Sequence, residues 1–168
     1  MNAPLQLSFR RAELRDVAGI VALLADDVLG REREAAGSPL PAEYASAFSA
    51  IDADPNQELL VCERDGAAVG TLQLTFVRGL SRQGALRAQL EAVRVAAAER
   101  GHGVGTQMLA YAVSIARRRG ARTLQLTTHK SRTDAQRFYR RHGFVASHEG
   151  MKLELPPDEQ RIMPPAGS

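Results

Sequence analysis

Between residues 92 and 116 the chain reads AVRVAAAERGHGVGTQMLAYAVSIA. A valine-rich run leads into Gly101, Gly103 and Gly105, and apolar residues at helical spacing follow. Glycine lowers helix stability, so three of them at one strand-to-helix junction point to a need for bare backbone. A helix N-terminus carries unpaired N–H groups and a partial positive charge, and glycines let an anion approach them closely. The junction therefore predicts a strand–helix–strand unit, which requires a parallel crossover, with an anion cradle at its turn.

The elements around this unit are readable. Residues 5–11 form a first strand, and Val17, Ile20, Val21, Leu24 and Val28 fall at helical spacing. A connector over 31–41 precedes a second helix at 41–51, with Tyr44 and Phe48 four apart. Residues 58–64 and 67–77 flank Asp65-Gly66, a strong hairpin signal. A polar link over 79–87 leads to the strand QLEAVRV, and then to the glycine junction. The next helix sets Val104, Met108, Leu109, Ala112, Ile115 and Ala116 on one face and ends in Arg117, Arg118, Arg119 and Gly120. Cations there complement the helix dipole, and the glycine suits the stop. A strand over 123–128 follows, then a helix opened by a capping box of Ser131 and Asp134 and stopped by Gly143. FVASHEGMKLEL supplies one or two last strands, and the proline-rich end from Pro156 reads as a flexible tail. The order βααβββαβαβ predicts an α/β fold with a mixed sheet and helices on both faces. Residues 1–168 read as a single domain, with its core over about 5–155.

Composition narrows the function. No apolar run approaches the roughly 18–20 residues that a membrane span needs, and the N-terminus lacks the apolar core of a signal peptide. A single cysteine, Cys62, allows no internal disulfide, which suits a reducing, cytoplasmic setting; it reads as a buried strand residue. The net charge of +3 is small and acids are interspersed along the chain, so nucleic-acid binding is not expected. All basic residues but Lys130 and Lys152 are arginine, a bias expected of a GC-rich bacterial genome. The four histidines show no metal-ligand pattern, and no metal is expected.

Familiar phosphate cradles can be compared with RGHGVG. A dinucleotide fingerprint needs G-x-G-x-x-G, but the sixth position is Thr106 counted from Gly101 and Met108 counted from Gly103. A Walker A loop needs G-K-[ST], and no lysine is present. RGHGVG instead resembles the R/Q-x-x-G-x-G/A acyl-CoA motif of the Gcn5-related N-acetyltransferases, the GNAT family. DAQRFYRRHGF is similar to that family's A-x-x-F-Y-x-x-x-G-F segment, through Ala135, Phe138, Tyr139, Gly143 and Phe144. The element order matches the family from residue 5 to about 155.

The resemblance implies an acetyl-CoA-dependent N-acetyltransferase acting on a small-molecule amine or a peptide N-terminus. It also implies a splayed sheet. Backbone of Val93, Arg94 and Val95 would pair with the pantetheine arm, and N–H groups from Arg100 through Gly101, His102, Gly103, Val104 and Gly105 to Thr106 would meet the pyrophosphate. Thr106 could add its hydroxyl, while His102 would contribute backbone more than ring. The family often has a proline after the strand, where this chain has Ala96. Tyr139 matches the tyrosine that faces the CoA sulfur, and a phenol stays protonated at neutral pH; its other reading is core filling beside Phe138. Glu91 is the candidate base, set by alternation on the face of Val93 and Val95 unless a bulge intervenes. It could equally relay through water, bind the substrate ammonium or pair with an arginine. His129 is an alternative base or a hydrogen-bonded surface residue. Arg132 stands where the family often has an asparagine that holds the pantetheine arm, so it could reach a cofactor phosphate or face solvent. Homodimers are common in the family. The other functional reading is a catalytically inactive acyl-CoA-binding sensor or regulatory module.

Overall fold

The computed structural model describes residues 7–26 and 28–155. Residues 5 and 6 of the expected first strand, the side chain of Val28 and the expected tail from Pro156 lie outside the described residues. The chain divides into two compact units after Thr127.

The first unit is built on a five-stranded sheet ordered β1-β2-β3-β4-β5. Its strands are β1 (Leu7–Arg11), β2 (Gln57–Arg64), β3 (Ala67–Arg78), β4 (Leu86–Val95) and β5 (Thr123–Leu126). The first three junctions are antiparallel, and β4 pairs with β5 in parallel, so the sheet is mixed. Asp65 (φ 51°) and Gly66 (φ 79°) make the tight β2–β3 turn, with the positive φ values that match a two-residue hairpin to strand twist. α1 (Val17–Ala25), a short α2 (Val28–Arg31) and α3 (Ala42–Ala53) separate β1 from β2. The expected link over 79–87 contains a left-handed turn at Arg82 and Gln83.

The register defines what each face carries. Residues directly opposite one another share a face. One face holds Cys62, Leu60, Gly70, Leu72 and Leu74 beneath α4 (Val104–Arg118). A Cβ on Gly70 would lie 2.5 Å from the Met108 sulfur and 3.0 Å from the Arg94 carbonyl oxygen, so a side chain there would push Met108 aside. α4 buries all six residues that the sequence pattern assigns to its face. Arg119 staples the far end of α4: it lies over the Phe76 ring and donates to Glu58 and the Pro55 carbonyl. The opposite face carries Val61 and Leu59, packed with Val17, Ile20, Val21 and Phe48 of α1 and α3. Burying these apolar surfaces on both faces is the main stabilising term.

The second unit centres on α5 (Thr133–Arg141). Its N-cap is Arg132 rather than Ser131, because the Ser131 hydroxyl is engaged with His129 Nδ1 at 2.7 Å. The expected capping box is therefore not formed. Gly143 (φ 87°) ends the helix as expected. The one or two strands expected over 144–155 are absent: these residues are irregular, with Met151, Leu153 and Leu155 exposed.

Candidate active site

The glycine junction takes the form that its spacing implies. Gly101 and Gly103 both adopt φ 82°, a region costly for residues with a Cβ. Gly103 is the N-cap of α4, without a side-chain cap. The first helical amide to find an intrahelical acceptor is that of Gln107, bonded to the Gly103 carbonyl at 3.1 Å. The N–H groups of Val104, Gly105 and Thr106 thus open the helix with no intrahelical partner. Space for a Cβ at Gly101 and Gly103 is open for at least 4 Å. His102 and Thr106 are exposed, whereas the Val104 side chain is fully buried and anchors the turn to the core.

Arg100 differs from the others. Its Nε donates to the Val95 carbonyl at 3.0 Å, and its Nη2 donates to the Asp26 carbonyl and carboxylate at 2.9 and 3.0 Å. The same carboxylate accepts from the Ala97 N–H at 3.1 Å. The end of α1 therefore holds both sides of the β4–α4 connection. Asp26 carried no sequence signal, since an acid after an apolar helix is ordinary.

The sheet opens beside this cradle. β4 pairs with β5 only from Arg87 to Leu90, so Glu91 to Val95 extend past the parallel pairing. This is the expected splay. Within it, the register opposite β3 slips: Gln73 faces Glu91, whereas Thr71 faces Arg94. Ala92 and Val93 together oppose one residue, a β-bulge with Ala92 at φ 52°. The bulge corrects the simple alternation. Val95 lies opposite Gly70 on the α4 face, while Glu91 lies opposite Gln73 on the α1–α3 face. Glu91 is exposed there. No glycine or asparagine marks the bulge, so the sequence gives no sign of it.

The remaining candidates belong to the second unit. Tyr139 is half-buried, with edge contacts to Phe138 (5.2 Å) and Phe144 (5.5 Å). The Phe144 N–H bonds back to the Tyr139 carbonyl at 3.1 Å. Arg132 is half-buried. His129 is an exposed, hydrogen-bonded side chain. Among the described residues no cluster of His, Cys, Asp or Glu is placed to hold a metal ion, and no helix is long and apolar enough to cross a membrane.

The open amides at the helix start, the empty space over Gly101 and Gly103, and the splayed strand fit a long anionic ligand such as acetyl-CoA. The model of the acetyltransferase (GNAT) family matches residues 25–144. An aminoalkylphosphonate N-acetyltransferase of Salmonella typhimurium is 33% identical over 105 residues, covering 62% of this chain and 68% of that protein. Among solved structures, a transcriptional regulator from Bacillus halodurans is 46% identical, with a TM-score of 0.87 over 89% of this chain and all of that one. A putative acetyltransferase from Agrobacterium tumefaciens is 26% identical, with a TM-score of 0.78 over 88% of this chain and 99% of that one.

Proposed function

We propose that this chain, which belongs to the GNAT acetyltransferase family, moves the acetyl group of acetyl-CoA to a primary amine by direct attack on the thioester. The observation that carries the reading is the glycine turn, whose amides open α4 next to a splayed β4. Members of the family use acetyl-CoA, and the Salmonella relative is named as an N-acetyltransferase of aminoalkylphosphonates.

In this reading the amides of Gly103 to Thr106 hold the pyrophosphate, and the backbone of Val93 to Val95 pairs with the pantetheine arm. Arg100 braces the turn from within, because its guanidinium is engaged by Asp26 and Val95. Acetyl-CoA supplies an activated acyl group. A free alkyl ammonium has a pKa of roughly 10.4, so the acceptor must first give up a proton. Glu91 binds the ammonium and takes that proton, directly or through water. The nitrogen lone pair then forms the N–C bond as the C–S bond breaks, with its electron pair leaving on sulfur. Tyr139 gives the departing thiolate its proton and is reprotonated by the second proton that the nitrogen loses on becoming an amide; the support for this role is its place in the F-Y-x-x-x-G-F segment. The acceptor is a small amine or a peptide N-terminus. A single domain, a cytoplasmic setting and a homodimer rest on the resemblance and composition.

Release of CoA thiol from acetyl-CoA, measured against a panel of amines, tests the reading. Turnover is expected with at least one amine class, falling about 10²–10⁴-fold in Glu91→Gln and by a smaller factor in Tyr139→Phe. A second reading is an acyl-CoA-binding regulatory module, favoured by the description of the 46% identical Bacillus protein as a transcriptional regulator. It predicts calorimetric binding of acetyl-CoA with no amine-dependent thiol release.

A further inference from the structure

We infer that the acceptor is an amine that also carries an acid group, with Glu91 taking its ammonium and Arg87 its anion. The inference rests on the acetyl-transfer reading and deepens it. It starts from the face of β4 that carries Glu91. Strand alternation sets Arg87, Gln89 and Glu91 on that face, and the bulge after Glu91, where Ala92 and Val93 oppose one residue of β3, turns Val95 to the other. The register then lays out parallel rows on that face. Leu59, Gln73 and Glu91 form one row; Gln57, Thr75, Gln89 and Gln125 form the next; Val77, Arg87 and Thr123 form the third.

The apolar part of the face, at Val61 and Leu59, is covered by α1 and α3. The part over β4 is polar, and Arg87, Glu91 and Gln125 are exposed. The glutamines are already tied, Gln73 to Gln57 and Gln125 to Gln89, each at 2.8 Å. The two charged groups are not. Among the described residues neither the Glu91 nor the Arg87 side chain has a hydrogen bond or ion pair, while Asp16, Asp26, Glu58, Glu63 and Glu99 of the same unit each have an arginine partner. A strand rises about 3.3 Å per residue, so Arg87 and Glu91 are anchored about 13 Å apart. Both side chains are long enough to shorten that gap. A carboxylate and a guanidinium of opposite charge, held on one rigid strand with a neutral amide between them, complement a short linear zwitterion. A guanidinium fork suits a carboxylate or phosphonate end.

The test compares ω-amino carboxylates and ω-amino phosphonates of increasing chain length with the matching amino alcohols, by kcat/KM at saturating acetyl-CoA. The anionic acceptors are expected to win by roughly 10–100-fold at an optimal length. Arg87→Gln should bring that ratio towards one. Arg87→Glu should turn the preference towards diamines, which a merely structural role for Arg87 would not do. Equal turnover of anionic and neutral acceptors by the wild type, or a ratio unchanged in Arg87→Gln, overturns the assignment while leaving acetyl transfer intact. If no amine is acetylated, the acetyl-transfer reading itself fails. Calorimetric titration of the same amines then still decides Arg87, because equal binding of the acid and alcohol forms overturns it.

Discussion

Ala92 holds φ at 52°, a conformation that costs an alanine about 1–2 kcal/mol. That strain turns Val95 away from the face that Glu91 shares with Arg87, so the candidate base and the end of β4 lie on opposite faces because of one residue. Gly103 occupies a similar region, but there glycine removes the cost. A Cβ at Gly103 would meet nothing within 4 Å, so Gly103→Ala acts through the backbone alone. It should lower stability by about 1 kcal/mol and weaken acetyl-CoA binding, read by thermal unfolding and calorimetry. Unchanged affinity would show that the turn does not hold the donor. Cys62 is a different kind of residue: it is 1% exposed, and burial pushes its thiol up to about 11. The fold favours the protonated form, so this contribution to stability is complete below the ordinary thiol value and is lost as pH rises towards 11. At pH 8 its alkylation should track unfolding and be fast only in denaturant. Rapid labelling of the native protein would contradict this burial.

At the scale of elements, the decisive contact joins the end of α1 to the β4–α4 connection through Asp26, Ala97 and Arg100. Asp26 and Arg100 are 42% and 50% exposed, so solvent screens the ion pair to about 0.5–1 kcal/mol or less. Asp26→Ala should raise the KM for acetyl-CoA by about 2–5-fold, and Asp26→Asn, which still accepts from the Ala97 amide, by less. Equal effects of the two variants would mean that the amide contact carries nothing. No local pattern announced Asp26, because its partners lie more than 70 residues away. The hairpin at Asp65-Gly66, the buried face of α4 and the glycine turn were legible because each depends on neighbours in sequence. The bulge was not legible, since alanine carries no signal for positive φ. FVASHEGMKLEL reads as one or two strands, yet a strand exists only through its partner. None of the described residues pairs with that segment.

For the molecule as a whole, acid sensitivity should be set in part by Arg10. Its guanidinium joins Asp16 (2.6 Å) and Glu63 (2.5 Å), tying β1 to the turn before α1 and to β2. Hydrogen bonding from Arg10 holds the Asp16 carboxyl below its ordinary value. A lowered carboxylate contributes stability above that ordinary value, near 3.8, and loses it as pH falls through the folded value. Thermal stability should therefore drop below about pH 4, with a shallower drop in Arg10→Gln. Parallel curves for the two proteins would mean that the Arg10–Asp16 contact contributes nothing to acid sensitivity. Direct transfer requires the donor to rest on the α4 turn and give its acetyl group straight to an amine. The most direct measurement is intact-protein mass together with free CoA, first with acetyl-CoA alone and then after an amine is added. Direct transfer predicts an unmodified protein throughout, with CoA and N-acetyl product appearing together only after the amine. An acetylated protein, or CoA released without an amine, would contradict it.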